Sequence, residues 1–235
     1  MNSTVAKKWI ILGVLFFLPV IFLLFLYPST HHYKSLDIVN QNVREVEDFI
    51  SLDDNKRTLN GNITILSFLG YDPMGNLTVP LNLKELIYDK FKGFKKFQIL
   101  AISPSGSEGE IKKLMKELYT YDELNYWGFS FGTEAQINEL YNSLDSNNKL
   151  DDDFASTNIF IIDKELNQRG RLDDRKATEI EKNQSIYGLT SYNVTKVSEL
   201  KNKMNDDLRI LFTEYRQKRK GNYDSNTRRT DNLDK

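Results

Sequence analysis

Apolar positions along the chain fall into three regimes: one continuous run near the N-terminus, short solid blocks, and stripes at helical spacing. The run Trp9 to Tyr27, WIILGVLFFLPVIFLLFLY, is uncharged and broken only by Gly13 and Pro19. Its nineteen residues, rising about 1.5 Å each as a helix, span about the 30 Å of a hydrocarbon layer. Lys7 and Lys8 precede it and the next cation is Lys34, which predicts residues 1–8 in the cytoplasm and the rest of the chain exported. The run is longer than a signal-peptide core and YPSTHH offers no small-x-small cleavage site, so residues 9–27 read as an uncleaved anchor in an inner membrane. No Cys follows the run, which excludes a bacterial lipoprotein.

Residues 28–44 read as a polar linker. VEDFIS and RTL flank the turn-like Asp53-Asp54-Asn55-Lys56, a pattern that predicts a short hairpin. Ile63–Leu69 and Phe97–Ile102 are solid apolar blocks, as strands buried on both faces would be. Between them, Leu81, Leu83, Leu86 and Ile87 predict a short helix stopping at Gly93. Ser107 with Glu110 forms a capping box ahead of Ile111, Leu114, Met115, Leu118 and Tyr119, one apolar face of a helix. Trp127–Phe131 suggests a strand, and Thr133 with Gln136 caps a helix carrying Ile137, Leu140, Tyr141 and Leu144. Asn158–Asp163 and Gln168–Leu172 read as a hairpin, and residues 173–194 as a polar inserted loop. Val197, Leu200, Met204, Leu208, Leu211, Phe212 and Tyr215 predict a long amphipathic helix.

Strand, helix, strand, helix, then a hairpin and a helix is the order of an α/β, thioredoxin-like fold: a central mixed sheet with flanking helices over residues 45–215, behind one N-terminal transmembrane helix. The tail, 216–235, carries seven Lys or Arg against three Asp, a net of +4, and reads as disordered.

Composition narrows the chemistry. The 235 residues include 32 Lys plus Arg, 33 Asp plus Glu, two His and no Cys, with a mean hydropathy of −0.51 despite the apolar run. Without Cys there are no disulfides, thiolate nucleophiles or Cys-type zinc sites. The only His, His31 and His32, are adjacent in the linker, so the body has neither a Ser-His-Asp triad nor a His-rich metal site. The expectation is a protein that is not an enzyme and carries no cofactor. A non-thiol enzyme would need acid and base groups from Asp72, Glu108 or Asp163, and no carboxylate pair can be placed in one cleft from the sequence.

Several segments resemble the SCO/SenC family. Trp127-Gly-Phe-Ser-Phe-Gly132 resembles its W-x-F-x-x-G segment, and the stretch from Phe154 to Gly170 resembles its strand, "ID" and turn leading to R-G. The anchor, DFISLDDNKRTL and the strand before Gly70 also fit. The resemblance implies an exported thioredoxin-like domain concerned with copper delivery or thiol reduction in cytochrome c oxidase assembly. It also implies a C-x-x-x-C-P motif after the first central strand, where this chain has Asp72, Pro73 and Asn76, and a distant His, which falls near Ala155. Soft Cu(I) and disulfide exchange both need sulfur donors that a carboxylate and an amide cannot supply. These positions therefore read as a vestigial site, with Tyr71, Met74, Tyr121 and Tyr126 as candidate partner-contact residues.

The expected partner is a protein in the membrane or periplasm, an oxidase subunit or assembly factor, alongside the bilayer through residues 9–27 and no nucleic acid. An envelope interaction module unrelated to oxidase assembly is the alternative. Asp151-Asp152-Asp153 reads as a solvated loop, and the basic tail as solvated or in contact with anionic lipid. The aromatic stretch around Trp127, Phe129 and Phe131 reads chiefly as core.

Overall fold

The computed structural model describes residues 3–26, 35–53, 56–119 and 123–221. His31, His32, the Asp54-Asn55 turn, Tyr121 and the tail beyond residue 221 lie outside them. The chain divides into two units, Met1–Lys34 and Ser35–Lys235.

In the first unit, helix α1 runs unbroken over Ser3–Leu26 with Pro19 inside it. Side chains are described continuously only over 11–23, and among the described residues no helix is long and apolar enough to cross a membrane. Leu15 and Phe16 are 73% and 69% exposed.

The second unit is built on one mixed sheet of β1 (Asp37–Asn40), β2 (Ile50–Ser51), β3 (Ile63–Phe68), β4 (Phe97–Pro104), β5 (Trp127–Gly132), β6 (Asn158–Ile162) and β7 (Gln168–Gly170), ordered β1-β7-β6-β3-β4-β5-β2. Strands β3, β4 and β5 are parallel. On the far side of β3, β6 runs antiparallel, followed by β7, so the hairpin read from the sequence forms. Alternation in the strands divides the core. Ile63, Ile65, Ile99, Ile159 and Ile161 face α2 (Thr78–Leu83), α4 (Glu108–Tyr119) and α8 (Asn205–Arg219). Leu66, Phe68, Leu100, Ile102, Phe160 and Ile162 face α5 (Glu134–Asn142). This sorting follows from the two-residue period of a strand.

Helix α2 continues through a wide π turn, Lys84–Tyr88, into α3 (Asp89–Phe91), ending ahead of Gly93 as read. The C-terminal helix likewise begins as α7 (Val197–Glu199), passes through a π turn at Leu200–Met204 and runs on as α8. The Thr133–Gln136 capping box is present. At the head of α4, the Ser107 hydroxyl donates to the Pro104 carbonyl at 2.7 Å, and Glu110 pairs with Lys113.

Four readings change. Among the described residues the hairpin read over 46–59 is not formed: β2 (Ile50–Ser51) pairs instead with β5, Ile50 opposite Phe131. The compact unit begins at Ser35, because β1 (Asp37–Asn40), inside the predicted linker, pairs with β7. The segment 173–194 is not simply a polar loop, since it contains α6 (Ala177–Glu181) and β8 (Tyr192–Asn193), which pairs with β6 and buries Tyr192 completely. Helix α8 extends to Arg219, into the predicted tail. Strands of two to four residues carry no period of their own, and their partners are distant in sequence.

Candidate functional site

Parallel strands bring their C-terminal ends to one edge of the sheet, and the loop after β3 emerges there. Leu69 forms an isolated antiparallel bridge with Ala155. The Ser156 amide donates to the Phe68 carbonyl at 3.0 Å, so the segment ahead of β6 is laced to the end of β3. Asp72 and Ala155, matched to a common site only through the resemblance, are thus on segments in direct contact.

Backbone hydrogen bonds close the loop. The Tyr71 amide donates to the Asp153 carbonyl at 3.1 Å and the Asp72 amide to Asp153 Oδ2 at 3.0 Å. Gly70 has φ +72°, and a Cβ there would lie 2.5 Å from the Asp153 carbonyl oxygen and 2.9 Å from Ala155 Cβ. Asp151 Oδ1 in turn accepts from the amides of Asp153 and Ala155 at 3.0 and 2.7 Å. The acidic run read as a solvated loop is therefore a structural turn whose carboxylates satisfy backbone donors.

Asp72 turns inward on its own loop. Its Oδ1 accepts from the Gly75 amide at 2.9 Å, and a Cβ on Gly75 would meet Oδ2 at 2.5 Å. Pro73 is buried, Asn76 is exposed, and Met74 packs against the core beneath. Among the described residues no group of three or more His, Cys, Asp or Glu is placed to hold a metal ion.

Tyr71 is 37% exposed. Its hydroxyl donates to Glu134 Oε1 at 3.0 Å, a bond that raises the phenol above its ordinary pKa. Its ring meets Phe154 edge to face at 6.2 Å. Beyond Phe154 opens a cleft of about 670 Å³, lined by Tyr141, Asn142, Asn148, Asp151 and Asp152 among others. From the sequence, Asp153 reads only as part of a solvated acidic run and Phe154 only as the start of the family-like stretch, and neither is assigned to a site. The Thr133 cap alone marks Glu134, as the first residue of a helix.

The remaining candidates scatter. Tyr126 is 45% exposed but precedes β5, at the opposite sheet edge from Tyr71, so the two do not form one contact surface. Trp127, Phe129 and Phe131 are buried in the core as read. Glu108 Oε1 accepts from the Gly106 amide at 3.1 Å. Asp163 follows β6, again at the opposite edge, fully buried and 2.9 Å from Arg169. Asp72, Glu108 and Asp163 therefore share no cleft.

No family model matches the sequence, and no curated protein does. Solved structures do. The structure of BsSco, a member of the Sco family of cytochrome c oxidase assembly proteins with a disulfide switch, is similar at TM-score 0.50 and 12% identity, over 74% of this chain and 96% of that one. ScoI from Bradyrhizobium japonicum with copper bound matches at TM-score 0.40 and 13% identity, over 73% and 99% of the two chains. ScoI from Arabidopsis thaliana with copper bound matches at TM-score 0.39 and 16% identity, over 68% and 94%. The similarity to BsSco, joined to the sheet order, shows the fold: over its described residues from Ser35 the chain is a mixed α/β, thioredoxin-like body.

Proposed function

We propose that the protein is a membrane-anchored accessory that works by holding a protein partner, in biogenesis of a respiratory oxidase or another exported metalloprotein, and not by thiol or copper chemistry. The observation that carries this reading is the loop after β3, whose amides at Tyr71, Asp72 and Gly75 are bonded to Asp153 and Asp72. That bonding fixes a shaped surface of Tyr71, Phe154 and the adjoining cleft. Aromatic side chains on a rigid frame offer contact area at low entropic cost. The role in oxidase assembly is carried over from the description of BsSco. Anchoring is argued from the sequence, from the uncharged run Trp9–Tyr27, with Lys7 and Lys8 favouring a cytoplasmic N-terminus.

The test is crosslinking of the full chain in its native membranes followed by affinity purification, in parallel with Tyr71→Ala and Phe154→Ala. An oxidase subunit or assembly factor recovered with the parent chain and lost with both variants supports the reading. Tight one-site Cu(I) binding by the purified chain contradicts it.

A further inference from the structure

A second cleft, also about 670 Å³, lies at the sheet edge remote from the Leu69–Leu77 loop. Three stretches close it: Gly93–Lys95 ahead of β4, the Lys164-Glu165 turn after β6, and the last turns of α8. Phe94 and Phe212 stack in it with ring centroids 4.3 Å apart, and Tyr215 stands beside them. Among the described residues lining it are five cations, Lys95, Lys164, Arg216, Lys218 and Arg219, against the single carboxylate of Glu165.

Basic residues in the last turn of a helix complement its dipole, which accounts for Arg216, Lys218 and Arg219. It does not account for Lys95 and Lys164, which come from two other segments and converge on the same hollow. Glu165 is engaged by the Tyr215 hydroxyl, and Lys218 pairs with Glu214 at 2.9 Å. Among the described residues, Lys95, Lys164, Arg216 and Arg219 have no carboxylate within ion-pair distance. Lys164 and Lys218 each place the ammonium 4.8 Å from the Tyr215 ring centroid. Burial above all, with Arg219 and Lys96 nearby, lowers the Lys164 pKa against the pull of Glu165. A desolvated ammonium among like charges gains from an arriving anion.

We propose that this cleft binds a phosphate ester, its phosphate among Lys164, Arg216 and Arg219 and its apolar or planar part on Phe94 and Phe212. Two guanidiniums match the paired oxygens of a phosphate, and the volume is that of an ordinary small-molecule site. A lipid headgroup and a soluble ester share this chemistry. The site stands apart from the surface around Tyr71 and does not depend on what that surface holds.

The test is calorimetric titration of the full chain in neutral maltoside micelles at low salt with phenyl phosphate and, separately, dihexanoyl phosphatidylglycerol. Saturable binding is expected, weakened about tenfold or more by Arg216→Gln with Arg219→Gln and relieved similarly by added salt. Lys112→Gln with Lys113→Gln, exposed on α4, leaves it unchanged. Matching thermal midpoints for the two double variants show that loss of binding is not loss of fold. Tighter phenyl phosphate binding assigns a soluble ester, and binding of phosphatidylglycerol alone assigns a lipid headgroup; both uphold the site. Absence of saturation with both probes, equal affinity in the arginine variant, or binding of a polyglutamate peptide in place of both overturns it.

Discussion

Leu69 and Ala155, 86 positions apart, pair in an isolated antiparallel bridge at the C-terminal edge of the parallel strands. Around that bridge, Asp153 accepts from both Tyr71 and Asp72, and Asp72 accepts from Gly75. The loop is thus held by its own acidic side chains and by a second segment, and its shape depends on a few replaceable groups.

Gly70 is the least tolerant of these. Its left-handed backbone and the 2.5 Å approach of a Cβ to the Asp153 carbonyl oxygen leave no room for a side chain. Gly70→Ala is expected to destabilise the protein by about 1–3 kcal/mol, read by urea unfolding, and to speed amide exchange at Tyr71 and Asp72.

Asp153 acts on the loop as a hydrogen-bond acceptor. Asp153→Asn keeps an acceptor for the Asp72 amide and should leave both stability and exchange close to the parent. Asp153→Ala removes it and should cost about 1 kcal/mol, with faster exchange at Asp72. An equal loss in the two variants would show that charge, not hydrogen bonding, fixes the loop.

Arg169 lies among buried carboxylates, 2.9 Å from Asp163 and 2.6 Å from Glu214, and also donates to the Leu36 carbonyl at 2.6 Å. Replacing it by Leu leaves buried Asp163 without its cation and Glu214 with Lys218 alone. Arg169→Leu should cost about 3–5 kcal/mol by chemical unfolding, whereas the triple change Arg169→Leu, Asp163→Asn, Glu214→Gln should recover part of the loss.

Asp207 accepts from the Tyr192 hydroxyl at 2.7 Å and from Arg171 Nε at 2.9 Å, yet burial outweighs these bonds and raises its pKa. The folded state therefore holds the Asp207 proton more tightly than the unfolded chain does. Its contribution to stability is full below the unfolded value of about 4 and is lost as pH rises through the raised folded value. Asp207→Asn cannot titrate, so the stability of the parent minus that of the variant should decline as pH rises through that interval. A pH-independent difference in urea unfolding would refute the assignment.

Much of the body was legible locally. The solid blocks at Ile63 and Phe97 became the central strands, the Thr133 box capped α5, and Val197–Tyr215 became the long C-terminal helix. The candidate site was legible only in part. Asp72 and Ala155 do lie on adjoining segments, but Tyr126 is at the other edge and Asp153, Phe154 and Glu134 gave no signal that they belonged. A residue's place in a loop is set by what packs against it, and local pattern carries no record of that.

The sequence by itself determined the apolar N-terminal run, the absence of sulfur donors other than Met, and the order of strands and helices, because each is a property of composition or of short-range period. Tertiary structure decided the pairing of β1 with β7, β2 with β5 and β8 with β6, the closing of the Gly70 loop by Asp153, and the gathering of Lys95, Lys164, Arg216 and Arg219 around Phe94 and Phe212. Those arrangements join residues tens of positions apart, and the geometry that brings them together is set by packing of the whole sheet and its helices.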